Sequence, residues 1–539
     1  MTPTRKPLHP STLGLAGRAR HTLVAAAVAT ALGVFSVPAM SADQADLQGL
    51  QDQINKLQRE MDRMKAQQAQ TAPAPAAAAK PAAEKDKPTA PVFMAGPVKV
   101  TLGGFVELMV VDRSRNESAD WASNFNASIP YPNSHNYYLS EYHQTERQSR
   151  LSALVQGPDS DQWGTEAYIE TDFGAAGGPA NYNESNSFSP RVRHFFADVT
   201  YKDTGTNLLF GQAWSLMTGN KQGIVARGEN IPLTIDGQYL PGFNWLRTPQ
   251  IRLTQKFNDM FTAAVSLENP AVLVSGTAVA GTMFNNPGAG NSFTPPNGAT
   301  FSANNVTTDY LPDIVAKVAV DPGFGHFEAF ATERFFRARD IITGQQTNAK
   351  TNATGFGGSM ILPVVPKIVD FQASVIAGRG VGRYGSAQLP DATINPDSKR
   401  GLDPLRGFSA LAGLTVKPAP AWTFYTYVGE EQVSQRSYTV VAGGKNTYYG
   451  YGNAGYDNSG CFTEGAANCA ANTSRIVSIA AGGWWKFYQG WLGNAQLGLS
   501  DTWVKREIFS GSTGGGTFGD PSTNINIFLV SFRYYPFQK

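Results

Sequence analysis

From Val98 to the end of the chain, segments of about ten residues alternate apolar with polar side chains. In the first segment, Val98, Val100 and Leu102 alternate with Lys99 and Thr101. A period of two places successive side chains on opposite faces of a β-strand. Such segments, separated by turn residues, are typical of a transmembrane β-barrel with an apolar outer face and a polar lumen.

Sixteen such segments are predicted, at approximately 98–112, 144–157, 162–173, 191–202, 206–217, 249–257, 260–268, 311–321, 325–337, 353–363, 366–378, 405–417, 421–433, 474–488, 492–508 and 524–536. Short connections such as 203–205 and 258–259 alternate with long ones. This is the outer-membrane arrangement of short periplasmic turns and long external loops. We therefore predict an all-β transmembrane protein, a 16-stranded antiparallel outer-membrane β-barrel over residues 98–539.

Aromatic residues cluster near the predicted strand ends, where outer-membrane barrels carry interfacial girdles. They include Trp163, Trp422, Trp484, Trp485, Trp491, Tyr534 and Tyr535. The chain also holds 55 Gly and only 16% charged residues, unlike an ordinary soluble enzyme. A soluble two-domain β protein, which would hide its apolar faces, is the alternative.

The N-terminus resembles a secretory signal peptide. Four basic residues, Arg5, Lys6, Arg18 and Arg20, precede an apolar run over 23–37, which is followed by small residues. The run is too short for a stable transmembrane helix. We predict a signal peptide over 1–41, with an uncleaved membrane anchor as the alternative.

A heptad pattern follows, which predicts a short α-helical periplasmic coiled coil over 42–70 in front of the barrel. Its apolar residues, spaced alternately by three and four, are Leu47, Leu50, Ile54, Leu57, Met61 and Met64. These residues do not set the number of helices, and a lone amphipathic helix is the alternative. Residues 71–97 are rich in Ala and Pro and predict an extended linker.

Charge and cysteine content narrow the function further. The formal net charge is +2, and loss of the signal peptide makes it slightly negative, so no basic excess supports nucleic-acid binding. The two cysteines, Cys461 and Cys469, lie close together in a Gly/Asn-rich stretch of a predicted secreted chain. We predict a disulfide that closes a surface loop, because a metal site would need further ligands nearby. No metal or other cofactor is predicted.

A channel selects solutes by its width and by the charges on its wall. Alternation points Arg150, Arg252, Lys317 and Arg334 into the lumen, and Arg193 and Arg337 lie at strand ends. If the long connection 218–247 folds inward, Arg227 becomes a constriction residue. Inward acids, such as Glu166, Glu170, Asp172, Asp313 and Glu328, allow the alternative that the wall charges simply pair.

The sequence also bears on two other classes of function. A barrel-borne hydrolase needs a nucleophile with a base, but the mature chain has four histidines and none of the familiar catalytic motifs, so no enzyme is predicted. A structural tether between the outer membrane and the cell wall would need the coiled coil but no wet lumen. A plugged receptor barrel is a further alternative.

Four stretches resemble the DcaP-like family of trimeric outer-membrane porins: RQSRL at 147–151, LFGQAWS at 209–215, PQIR at 249–252 and YDNSGC at 456–461. The resemblance implies a homotrimer, passive uptake of small anionic solutes such as dicarboxylates, and an Arg-lined lumen that includes Arg150 and Arg252. The chain departs from the usual ending, since Phe537 is followed by Gln538 and Lys539.

The resulting hypothesis is a diffusion porin of the cell outer membrane with its N-terminal segment in the periplasm. It passes small hydrophilic solutes and favours anions. Its expected partners are two further copies of the chain, outer-membrane lipid and lipopolysaccharide, and small anionic solutes. The residues leave open the physiological solute, the pore radius, the net ion selectivity and the position of the 218–247 loop.

Overall fold

The computed structural model describes residues 91–118, 125, 128–158, 160–174, 188–277, 282–286, 290–293, 300–301, 306–307, 309–340, 348–396, 401–511 and 521–538, together with Lys56 and Arg59. The chain divides into two units, 1–85 and 86–539. In the first unit, the two described residues are helical. The predicted signal peptide, the six apolar residues of the predicted coiled coil and linker residues 71–90 lie outside the described residues.

Sixteen antiparallel strands form a closed barrel, as the alternation predicts. They are β1 (Val98–Arg113), β2 (Glu141–Thr145 and Arg150–Gln156), β3 (Trp163–Asp172), β4 (Arg191–Tyr201), β5 (Thr206–Trp214), β6 (Arg247–Lys256), β7 (Phe261–Glu268), β8 (Asp313–Val320), β9 (His326–Asp340), β10 (Asn348–Val365), β11 (Val369–Arg379), β12 (Arg406–Ala419), β13 (Trp422–Val433), β14 (Thr473–Gly490), β15 (Gly493–Ile508) and β16 (Ser522–Tyr535). Each strand pairs with the next, and β16 pairs with β1 from Val106↔Tyr534 to Arg113↔Ile527. Closure leaves no unpaired edge, which a lipid environment requires.

Shorter elements lie outside the barrel wall. Val92–Ala95 pairs with the start of β1. The other short strands are Val272–Leu273, Gly276–Thr277, Thr282–Asn286, Gly290–Phe293, Thr300–Phe301, Val306–Thr307, Ala392–Ile394, Leu402–Pro404, Arg436–Ala442 and Lys445–Tyr451, and the 3-10 turns are His135–Tyr138, Gly237–Tyr239 and Gly382–Tyr384. No helix among the described residues is long and apolar enough to cross a membrane.

The two faces of the wall differ as the alternation predicts. On β6, Ile251 is 55% exposed and Leu253 is 49% exposed, while Arg252 between them is 3% exposed. The exposed apolar side chains point outward, because a charged side chain facing lipid at mid-membrane costs about 2–4 kcal/mol. The inward side chains are buried and not exposed to water in a wide lumen. Other parts of the chain must therefore lie inside the barrel and cover them.

The external loop after β13 contains a disulfide between Cys461 and Cys469. This loop contacts the first external loop through backbone hydrogen bonds. Asn133 N donates to Cys461 O at 3.1 Å, and Gly465 N donates to Asn133 O at 2.8 Å. Tyr131 and Cys461 are buried in the same small apolar cluster. The disulfide loop therefore fixes the position of the first external loop over the barrel.

Candidate functional site

The connection between β5 and β6 folds into the barrel. We call residues 215–246 the long internal loop. Its neck is closed by Ser215 N, which donates to Leu246 O at 2.9 Å. Deeper in the lumen, Asn220 N donates to Glu328 of β9 at 3.1 Å, and Leu233 N donates to the Tyr427 hydroxyl of β13 at 3.1 Å. The loop thus reaches both β9 and β13, which explains why β5 ends at Trp214 and not at the predicted residue 217.

A second internal loop, described for residues 380–396 and 401–405 between β11 and β12, was not predicted. Trp245 N of the long internal loop donates to Tyr384 O at 2.9 Å. The buried Glu431 carboxylate of β13 accepts a hydrogen bond from each loop, from Gly242 N at 2.8 Å and from Ala387 N at 3.1 Å. Glu431 therefore joins the two internal loops to the wall.

Apolar side chains of both loops form a core inside the barrel. Tyr239, Leu240 and Phe243 of the long internal loop belong to the same buried cluster as Leu389 of the second loop and Tyr427 of the wall. Burial raises the pKa values of Glu229 and Asp236 in the long internal loop. The lumen is therefore narrowed by packed protein rather than by a few side chains.

This packing predicts the effect of Gly429→Ala on stability. A Cβ atom at Gly429 of β13 would overlap the carbonyl oxygen of Pro241 in the long internal loop. We expect the free energy of unfolding to fall by about 1–3 kcal/mol, measured from the unfolding midpoint in denaturant. Gly323→Ala is the control, because a Cβ at that turn meets nothing within 4 Å. Equal midpoints for both variants would show that the loop does not press on the wall.

Two of the predicted pore-lining residues, Lys317 and Arg334, face inward but are paired with carboxylates. Lys317 Nζ lies 2.8 Å from Glu328 and also donates to Thr218 O of the long internal loop at 2.8 Å. Arg334 contacts Asp313 at 3.1 Å and Asp391 of the second internal loop at 2.9 Å. Both side chains are fully buried. These pairs hold the loops in place, as a buried ion pair must be satisfied within the protein.

Arg252 is hydrogen-bonded within the wall, beside the start of the long internal loop. Its Nη2 donates to Trp214 O at 2.6 Å, and its Nε donates to Gln250 Oε1 at 3.0 Å.

Arg337, by contrast, does not line the lumen. On β9 it follows the buried, inward Phe336, so its side chain is on the outer face of the barrel. Alternation itself places Arg334 and Arg337, three residues apart, on opposite faces.

The inner wall carries a cluster of arginines on β2, β4 and β6. Arg193 of β4 contacts Glu170 at 2.6 Å and Asp172 at 2.9 Å, and Arg191 contacts Asp172 at 2.7 Å. Arg150 of β2 approaches Glu170 only to 3.9 Å. The cluster, which we call the arginine cluster, consists of Arg150, Arg191, Arg193 and Arg247.

Arg247 at the start of β6 lies against aromatic rings. Its guanidinium carbon is 4.7 Å from the Trp214 ring centroid and 5.2 Å from that of Trp245. Its Nη1 is buried and has no hydrogen-bond partner among the described residues, and the same holds for Nε of Arg150. The cluster therefore presents unsatisfied N–H donors on two guanidinium groups.

Sequence reasoning missed Arg191 and Arg247. A β-bulge in β4 explains the first, since Thr171 pairs with Val192 while Glu170 pairs with His194. The extra residue places Arg191 and Arg193 on the inner face. The apolar residues Val192 and Phe195 indicate this bulge, because both are exposed on the outer face. They lie three residues apart, whereas regular alternation puts residues of one face an even number of positions apart. Arg247 lay just outside the predicted strand 249–257.

A cavity of about 990 Å³ lies at the short-turn end of the barrel. It is lined by side chains of both charges, among them Lys99, Glu166, Asp198, Arg252, Lys256 and Asp321. Residues 222–226 of the long internal loop line it too. The next residue, Arg227, lies 4.5 Å from the ring of Tyr168, whose hydroxyl donates to Glu170 at 3.1 Å. Arg227 and Tyr168 thus lie between the cavity and the arginine cluster.

No group of three or more His, Cys, Asp or Glu side chains placed to hold a metal ion occurs in the part of the chain that the structure describes.

The barrel is similar to the crystal structure of the outer membrane channel DcaP of Acinetobacter baumannii. The TM-score is 0.57 at 17% identity, over 83% of this chain and 99% of that chain. The chain has the fold of an outer-membrane porin. The resemblance to DcaP seen in the sequence is thus confirmed at the level of the fold.

Two further structural similarities are weaker. OmpF of Salmonella typhi, in a complex with daunomycin, has a TM-score of 0.44 at 9% identity, over 82% of this chain and 99% of that chain. An anion-selective porin from Comamonas acidovorans has a TM-score of 0.42 at 10% identity, over 81% of this chain and 99% of that chain. No family model and no curated protein sequence matches the chain.

Proposed function

We propose that this protein is a passive diffusion channel of the outer membrane that favours small anions. The observation that carries the proposal is the pair of guanidinium groups of Arg150 and Arg247, whose buried N–H donors have no hydrogen-bond partner among the described residues. An unpaired buried donor costs free energy, and an anion in the lumen would satisfy it. The porin fold supplies a barrel in which such a site can act as a filter.

Dicarboxylates are the proposed solute class. A guanidinium group can hold both oxygens of one carboxylate, and two such groups can hold the two ends of a short diacid. The partly exposed Trp245 ring beside Arg247 would pack on the carbon chain between the carboxylates. Arg227 is proposed as a constriction residue, and Arg193 as the residue that fixes Glu170 and Asp172 within the arginine cluster.

The first test is planar-bilayer conductance of the purified protein, with the reversal potential measured in a KCl gradient. We expect steady conductance that appears in groups of three equal steps, one for each barrel of a trimer. The sign of the reversal potential should show that chloride permeates more readily than potassium. Succinate should reduce chloride current more strongly than acetate does. Ohmic conductance with cation preference would contradict the anion filter while leaving a channel.

A plugged receptor barrel is the second candidate, because two internal loops pack an apolar core inside the lumen. The same measurement separates the two functions. A receptor would give no steady conductance until a ligand or partner moved the loops, whereas a porin conducts without one.

The homotrimer is likewise a proposal, and deletion of residues 43–70 tests the part assigned to the predicted coiled coil. We expect the trimer to dissociate at a lower temperature, because paired helices add interface outside the membrane. Native gels after heating measure this, with polar replacement of Leu50, Ile54 and Leu57 as the control of equal length. An unchanged dissociation temperature in both variants would leave the barrel walls as the whole interface.

A further inference from the structure

A basic patch lies on the outer face of the barrel at the external-loop ends of β9 to β12. It consists of Arg337, Lys350, Arg379 and Arg406, and we call it the rim patch. Arg337 of β9 pairs directly with Lys350 of β10, and Arg379 of β11 pairs directly with Arg406 of β12. Like charges directly opposite each other across two strands destabilise a sheet. An anion bound at the rim patch would offset the repulsion within these two pairs.

The facing of the rim patch follows from its neighbours. Ala338 and Ala349, next to Arg337 and Lys350, are buried on the inner face. Lys350, Arg379 and Arg406 are exposed, and Arg337 is half-buried. All four side chains therefore project away from the lumen.

Few acidic side chains of the protein balance the positive charge of the rim patch. Among the side chains that the structure describes, which exclude that of Asp340, no carboxylate forms an ion pair with any of its four cations. Glu333, four residues from Arg337 toward the membrane centre, accepts a hydrogen bond from the Thr354 hydroxyl at 2.6 Å, and Lys350 Nζ lies 4.2 Å from the Tyr310 ring. Asp309 accepts a hydrogen bond from the Arg337 backbone N–H at 3.2 Å, and burial raises the pKa of this carboxyl to about 8. Asp309 is thus mostly neutral at pH 7 and offsets little of the charge.

The same rim differs on β13 to β15, where outward basic residues are paired. Arg475 contacts Glu430 at 2.6 Å, and Lys505 contacts Glu507 at 2.6 Å. An excess of positive charge is therefore a property of β9 to β12 and not of the whole rim.

We infer that the rim patch binds the phosphate groups of lipid A in the outer leaflet. The inference rests on the proposed location in the outer membrane, where external loops face outward. On the same outer face, the exposed Val375 lies four residues from Arg379 toward the membrane centre, which is roughly 13 Å along a strand. The cations thus follow directly after the apolar band, at the level of lipid headgroups. Guanidinium groups bind phosphate in a bidentate manner.

The test is native mass spectrometry of the folded, detergent-solubilised protein with added bisphosphorylated lipid A. We expect R379A/R406A to bind lipid A roughly 25-fold more weakly than the unaltered protein, from roughly a fivefold contribution for each of the two cations near an anionic surface. R475A/K505A is the matched control, because it removes the same charge from the same rim where acids already pair it, and its binding should be unchanged. Heat-dependent migration on gels shows that each variant is folded.

Two lipid comparisons complete the design. Dephosphorylated lipid A should bind weakly to every form of the protein, and phosphatidylglycerol should not distinguish the two variants. Equal loss of lipid A binding in both variants, or equal binding by R379A/R406A and the unaltered protein, would overturn the inference. Bilayer conductance of R379A/R406A is measured separately, so absence of a channel and absence of lipid A binding give distinguishable results.

Discussion

Replacing Arg150 and Arg247 together with alanine is expected to remove most of the anion preference of the channel. These two guanidinium groups lie on the inner wall without a close carboxylate among the described residues, apart from the 3.9 Å contact of Arg150 with Glu170. A unit charge about 8 Å from a passing ion, at an effective dielectric constant of about 40, contributes roughly 1 kcal/mol. Loss of both removes roughly 2 kcal/mol and should therefore lower the chloride-to-potassium permeability ratio by about 30-fold, measured from the reversal potential in a KCl gradient.

Arg337→Ala is the informative control for this experiment. It removes the same charge from a residue on the outer face of β9, so the permeability ratio should stay as in the unaltered protein. A shift of similar size in the control would mean that selectivity follows the net charge of the barrel and not the arginine cluster.

Arg247→Lys separates charge from geometry. Lysine keeps the positive charge but cannot hold two carboxylate oxygens in one plane. The chloride preference should persist, while the block of chloride current by succinate should weaken. Retained succinate block would remove the reason to propose dicarboxylates.

The barrel wall could be predicted from sequence because each strand lies between two different environments. Lipid requires apolar side chains on one face, and the packed interior accepts polar ones on the other, so alternation is visible within single segments. All sixteen strands lie where alternation placed them, with ends that differ by a few residues. The largest difference at an end is in β10, which begins at Asn348 and not at the predicted residue 353, and in β2 residues 146–149 interrupt the predicted strand.

The interior could not be predicted in the same way. The long internal loop and the second internal loop have no period, and their positions depend on contacts between residues far apart in the chain, such as Glu431 with Gly242 and Ala387. Facing could be predicted for Lys317 and Arg334, but pairing could not, because their partners come from other strands and from the loops. An inward charge is thus readable from the sequence, whereas its availability to a solute is not.

Replacing Glu431 with alanine is expected to raise the single-channel conductance. The carboxylate accepts hydrogen bonds from Gly242 N at 2.8 Å, Ala387 N at 3.1 Å and Ser386 Oγ at 3.4 Å. Each of these hydrogen bonds contributes about 0.5–1.5 kcal/mol, so their loss weakens the attachment of both internal loops to β13. We expect roughly a twofold increase in conductance with larger current fluctuations, because pore width limits ion flow.

Two further variants serve as controls for the effect of Glu431→Ala. Glu431→Gln keeps an acceptor oxygen and should restore most of the unaltered conductance. Glu430→Ala changes the neighbouring residue on the outer face of the same strand and should leave the conductance unchanged. Equal conductance in Glu431→Ala and Glu430→Ala would show that other contacts suffice to hold the loops.

Removal of the long internal loop extends the same prediction to its limit. Because the Ser215 to Leu246 hydrogen bond of 2.9 Å closes the neck, a Gly/Ser linker of about six residues, which spans up to about 20 Å, can replace residues 217–244. In a porin, the unaltered protein conducts, and the shortened barrel conducts several-fold more with weaker selectivity, since Arg227 is lost and the lumen is wider. In a plugged receptor, only the shortened barrel conducts. The loop is a constriction in the first case and a plug in the second, so one pair of recordings decides which function the packed interior serves.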